Sequence, residues 1–139
     1  MLIDRYNLRD ALYEYSKSYS MFGTCAGMIM LSNTKNLENN VNPLNIMNFS
    51  VSRNSWGSQV YSFEQKVNLK NFNIRSFNAI FIRAPKVTLI GKGIKIGYIE
   101  ENEPIILEDG NHIACSFHPE LNEDTRLHEY FLNKFYHEK

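Results

Sequence analysis

Residues 22–32 read FGTCAGMIMLS, a single cysteine between Gly23 and Gly27 with an apolar run directly behind it. A short extended segment, a sharp turn and a helix start, crowded with small residues, is the arrangement of a nucleophile elbow. The turn forces the reactive residue into a strained conformation, and its neighbours must be small to avoid collision. This stretch therefore constrains the fold: it requires a strand that runs into a helix at Cys25. A cysteine there sits at a helix N-terminus, where exposed N–H groups favour thiolate over thiol. The N–H of Ala26 is placed to stabilise an oxyanion. A short G-x-C-x-G run is also what a packed, inert cysteine produces, so the remaining chemistry has to be sought elsewhere in the chain.

The rest of the pattern places the elbow in an α/β domain. Residues 2–17 carry apolar side chains at three- and four-residue steps and predict helix, with Asn7 a candidate break into two. Residues 18–22 predict a short buried strand, and 26–32 a helix. Residues 33–48 are polar, Asn-rich and contain Pro43, which predicts a surface loop. Alternation then takes over. Phe49, Val51 and Arg53, and later Val60 to Gln65, predict strands around the turn Asn54-Ser55-Trp56-Gly57. Residues 79–83, 95–100 and 104–108 predict further strands, and Asp109-Gly110 a tight hairpin into 112–117. Residues 124–137 predict an amphipathic helix with Leu127, Tyr130, Phe131 and Phe135 on its apolar side. The order points to α/β with a mixed sheet in one domain of 139 residues.

Composition removes several function classes. Fifteen basic and fifteen acidic side chains cancel, so no charge excess or basic run points to nucleic acid or a membrane surface. No apolar segment approaches a membrane span, and the first residues show no secretory signal. Two cysteines are then expected as thiols in a reducing cytoplasm. No paired Cys or His spacing points to a metal.

A thiolate nucleophile needs a base and an orienting group. Of four histidines, His137 falls at the end of the chain, His128 on the solvated side of the last helix, and His112 in a strand. His118 ends the apolar strand ACSF and is followed by Pro119 and Glu120. In an extended segment, residues two apart point to one side, so His118 and Glu120 can lie together, the carboxylate fixing the imidazole tautomer. Active sites of α/β sheets form at the carboxyl ends of strands, and both Cys25 and His118 follow strands. Cys115 is expected in the core.

FGTCAG with a later SFHPE resembles the class I glutamine amidotransferases, which are flavodoxin-like. SRNSWGSQVYSFE (residues 52–64), FIRAPKV (81–87) and ACSFHPELNEDTRLHEYF (114–131) resemble, more narrowly, the glutaminase subunit of pyridoxal 5′-phosphate synthase, the PdxT/SNO family. The resemblance implies a mostly parallel mixed sheet flanked by helices. It also implies hydrolysis of L-glutamine to glutamate and ammonia, with no cofactor. Cys25, His118 and Glu120 would form the triad, and Arg53, Ile82 and Arg83 match positions that hold glutamine. The implied partner is a (β/α)₈-barrel synthase subunit that receives the ammonia and switches the glutaminase on.

Family members also carry an N-terminal strand, a crossover and a G-G-E-S loop that donates to the oxyanion, none of which is found in these 139 residues. Either Met1 is an internal methionine of a longer chain, or this is a truncated paralogue. The second case leaves open a non-catalytic partner of the synthase, and an amidotransferase of another pathway is the remaining alternative. Retention of Cys25, His118 and Glu120 together favours the first.

Overall fold

The computed structural model describes residues 2–35, 42–52, 62–100 and 102–136. Two short helices open the chain, α1 (Leu2–Arg5) and α2 (Arg9–Ser18), and Asn7 separates them at φ +58°. Asparagine tolerates this left-handed backbone better than most residues, because its short amide can bond locally. β1 (Phe22–Thr24) leads through Cys25 into α3 (Ala26–Leu31). β1 begins at Phe22, later than the strand expected over 18–22, because α2 extends to Ser18.

β2 (Phe49–Ser52), β3 (Ser62–Leu69), β4 (Ile74–Ile82) and β5 (Lys86–Ile90) follow. Then come β6 (Lys95–Glu100), β7 (Glu103–Glu108), β8 (Ile113–Cys115) and the closing helix α4 (Arg126–Phe135). β5 and the first half of β4 are additions to the expected strands. The turn at 54–57 lies outside the described residues, as does Arg53. Of its flanking strands, β2 pairs antiparallel with β5 and β3 with β4.

The central sheet is mixed, in the order β1-β8-β7-β6. Among the described residues its parallel pairing is confined to β1 and β8, with Phe22, Gly23 and Thr24 opposite Ile113, Ala114 and Cys115. The β6–β7 and β7–β8 ladders run antiparallel, where the resemblance implied a mostly parallel sheet. Tight turns between successive strands allow only that pairing. The Asp109-Gly110 turn is one of them: Gly110 takes φ +91°, and the Asp109 carboxylate accepts the N–H groups of Asn111 and His112.

β8 is buried on both faces, as its uninterrupted apolar run requires. Ile113 and Cys115 enter a core with Phe77, Phe81, Phe117 and Leu127, while Ala114 enters a second core with Met28, Leu31, Phe49 and Leu107. α4 closes the first core with Leu127, Tyr130, Phe131 and Phe135, the face its spacing predicts. His128, expected in solvent, is half-buried with its ring 5.6 Å from that of Phe22. It lies on the side of α4 that meets β1. No described helix is long and apolar enough to cross a membrane.

Candidate active site

Cys25 stands between β1 and α3 with φ +52° and ψ −105°. A non-glycine residue pays strain to hold such a conformation, and it persists only where the surroundings over-determine it. Two contacts do so. The Cys25 N–H donates to the Cys115 carbonyl at 2.8 Å, continuing the β1–β8 ladder past Thr24, and its carbonyl accepts the Ile29 N–H at 3.3 Å in the first turn of α3.

Gly23 explains the close approach of α3. A Cβ at this position would lie 2.5 Å from the Gly27 carbonyl oxygen and 2.7 Å from Leu31 Cδ1. Gly27 differs, since a Cβ there would meet nothing within 4 Å. The two glycines that frame the cysteine therefore have unequal steric roles.

The parallel register carries Cys25 and His118 to the same edge of the sheet, since both follow the carboxyl ends of paired strands. β4 links them more directly. The Cys25 thiol faces the Ile82 carbonyl at 3.6 Å, and the His118 N–H donates to the Ile80 carbonyl at 2.8 Å. Carbonyls two residues apart on a strand lie on one edge, roughly 7 Å apart. Cys25 and the His118 backbone are thus tied to alternate carbonyls of one strand, both on the same edge.

His118 Nδ1 and Glu120 Oε2 lie 2.6 Å apart, a charge-assisted distance. The backbone that brings them together is not the extended one expected. Pro119–Leu121 is a single 3-10 turn, which proline favours at its first position through its fixed φ, and this turn brings the carboxylate back onto the ring. Burial alone would raise the Glu120 carboxyl. Bonds from His118, its own backbone N–H and the Thr24 side chain outweigh burial and bring it below its ordinary value. With Nδ1 engaged, Nε2 is the ring nitrogen left for proton transfer.

Cys115 is fully buried, and burial pushes its thiol well above the ordinary value. It belongs to the core, as expected, and is not joined to Cys25 in a disulfide. Ile82 ends β4 with its side chain exposed, and Arg83 follows at φ +47°, also exposed. Arg53 falls outside the described residues, so its position relative to this edge is not described. Among the described residues, no cluster of three or more His, Cys, Asp or Glu side chains is arranged to hold a metal ion.

Two contributions were not found from the sequence. Thr24 helps to hold the Glu120 carboxyl down; its place directly before Cys25 is the signal that could have raised it. The carbonyls of Ile80 and Ile82 carry no side-chain signature at all.

A family model described as the SNO glutamine amidotransferase family matches residues 1–137. Pyridoxal 5′-phosphate synthase subunit PdxT of Thermosipho africanus is 46% identical over 129 residues, covering 91% of this chain and 67% of the relative. The subunit of the same name from Exiguobacterium sibiricum is 41% identical over 133 residues, covering 96% and 68%. A crystal structure of a glutamine amidotransferase superposes with a TM-score of 0.86 at 36% identity, over 96% of this chain and 70% of that one. The chain thus spans about two thirds of the length of these relatives.

Proposed function

The chain belongs to the SNO glutamine amidotransferase family, and from that premise we propose that it is the glutaminase subunit of a pyridoxal 5′-phosphate synthase. It acts in the cytoplasm as a single glutaminase domain, hydrolysing L-glutamine to glutamate and ammonia. The ammonia passes to a barrel-shaped synthase subunit. The reading of substrate and partner is supported by the relatives' names.

Cys25, His118 and Glu120 act as the triad. The Cys25 thiolate attacks the carboxamide carbon of glutamine, and the oxyanion that forms is held by the Ala26 N–H at the start of α3. His118 Nε2 delivers a proton to the departing nitrogen, leaving a γ-glutamyl thioester and ammonia. Water, deprotonated by the same nitrogen, then hydrolyses the thioester to glutamate and frees the thiol. Glu120 keeps the proton on Nδ1 and stabilises the imidazolium as it forms. Arg53 and Arg83 bind the α-carboxylate, which a guanidinium can bond through both oxygens, and Ile82 lines the substrate position.

The observation that carries this reading is the hold of Cys25 and His118 on alternate carbonyls of β4, with Glu120 closing on the histidine. The test is ammonia release from glutamine, measured with and without a barrel subunit. The expected result is release that rises with the barrel subunit and disappears in Cys25→Ala. Complex formation with no ammonia at high protein concentration would overturn it in favour of a non-catalytic partner.

A further inference from the structure

His112 is a buried histidine that this chemistry leaves unused. It lies between the Asp109-Gly110 turn and β8. The Asp109 carboxylate accepts the His112 N–H at 2.8 Å, which fixes the backbone and directs the ring toward the segment entering β1. There, Nδ1 accepts the Met21 N–H at 3.0 Å. Ser16, in the last turn of α2, lines the same hollow as the ring. With Nδ1 accepting, the neutral ring carries its proton on Nε2. One neutral imidazole thus satisfies a strand N–H at the entry to β1.

The ring stands where a carbonyl would stand in a longer ladder. β1 has only three residues. Its pairing is extended at one end by Cys25 N–H to the Cys115 carbonyl and at the other by Ile113 N–H to the Met21 carbonyl, at 3.0 Å. By the two-residue repeat of a parallel ladder, the Met21 N–H would fall to the carbonyl of Asn111. The chain is still leaving the Gly110 turn at that point, and the imidazole nitrogen takes the place of the missing acceptor.

We propose that His112 is a positioning residue for Cys25: as the neutral tautomer with Nδ1 accepting, it fixes the register of β1 on β8 and so where the thiol stands relative to His118. The activity part of this inference rests on the glutaminase reading. Burial lowers the His112 pKa from its usual value, against the opposite pull of the Asp109 carboxylate and the Ser16 backbone. The titratable groups around the ring are Tyr13 and Lys17 of α2 and Asp109 of the turn. The neutral Asn45 and Asn111 complete the hollow. A protonated ring has no lone pair for Met21. The clip is therefore intact above the unfolded histidine value of about 6.5 and is lost as pH falls through the lower folded value.

The test combines imidazole ¹⁵N spectra of the full chain with glutaminase kinetics of His112→Leu and His112→Asn. At pH 7.5 the spectrum should show Nδ1 unprotonated and Nε2 protonated, with the Met21 amide slow to exchange. His112→Leu, with unchanged circular dichroism, should lower kcat about 10- to 100-fold and leave KM in place. His112→Asn, whose amide oxygen can accept from Met21, should recover most of that loss. An unchanged kcat in His112→Leu, or no recovery in His112→Asn, would overturn the proposal. If neither variant folds, the wild-type spectrum decides: a protonated Nδ1 at pH 7.5 overturns it, and an accepting Nδ1 with a protected Met21 amide supports it. If the unsubstituted chain releases no ammonia, the glutaminase reading fails, and the spectrum together with the alkylation rate of Cys25 in the two variants still decides the clip.

Discussion

The Cys25 sulfur lies 3.6 Å from the carbonyl oxygen of Ile82, the last residue of β4. Two residues earlier, the Ile80 carbonyl receives the His118 N–H. β4 therefore serves as a ruler along which Cys25 and His118 are both set. The two cysteines differ in burial, Cys25 partly exposed and Cys115 in the core, and their reactivity follows from that.

Cys25 should be alkylated selectively. It is partly exposed at a helix start, whereas Cys115 is fully buried with its thiol pushed well up by burial. A glutamine-like electrophile at neutral pH should label Cys25 and spare Cys115, as read by peptide mass. Equal labelling of both would contradict the assignment of Cys25 as nucleophile.

Replacing Glu120 by glutamine should cost kcat far more than KM. The amide is nearly isosteric but can offer an N–H to His118 Nδ1 and so stabilise the wrong tautomer. A fall of roughly 10²- to 10⁴-fold in kcat is expected, measured by steady-state ammonia release. The carboxyl, although raised by burial, is brought below its ordinary value by His118, its backbone and Thr24. It thus stays ionised at neutral pH. Its contribution to stability is present above the unfolded glutamate value of about 4.3 and is lost as pH falls through the lower folded value. In a denaturation series, Glu120→Gln should flatten the acid side of the stability profile.

The glycines of the elbow should respond unequally to alanine. At Gly23 the new methyl would meet backbone at 2.5 Å, so α3 must move away from β1. A loss of about 1–3 kcal/mol is expected, read as a lower denaturation midpoint, with activity reduced because Cys25 moves with the helix. At Gly27 the methyl meets nothing, and alanine is the better helix former by about 1 kcal/mol. Gly27→Ala should therefore be as stable as the parent or more so. The reverse order would mean that the packing of α3 on β1 is not what fixes the cysteine.

Much of this was legible because local chemistry is written in short stretches. Asn7 broke the opening helix where its small amide allows φ > 0, Asp109-Gly110 made its turn, and the spacing of Leu127, Tyr130, Phe131 and Phe135 marked the inner face of α4. The strand-end places of Cys25 and His118 were readable from position, and the nearness of Glu120 to His118 was expected, though through an extended segment and not the 3-10 turn that makes it. What stayed hidden depends on distant pairing. β5 follows directly after Pro85, which reads as a stop, and Thr88, Leu89 and Ile90 lack the in-out alternation of a half-buried strand because all three are exposed. The polar start of β4, Ile74 to Asn78, is a strand because β3 pairs with it. The parallel register of β1, the acceptor role of His112 and the carbonyls of Ile80 and Ile82 exist only once those strands have met.

The pairing of residues 22–24 with 113–115 has a kinetic consequence. It closes a loop over most of the polypeptide, and such long-range closure is entropically disfavoured until the intervening strands have collapsed. Helix content can return early on dilution from denaturant, because α2 and α4 are local. The meeting of the Cys25 thiol with the His118 imidazole cannot, since the two come from opposite ends of that loop. With the proposed triad, recovery of turnover is accordingly a late clock of refolding, and a partly folded chain would carry its helices without the site.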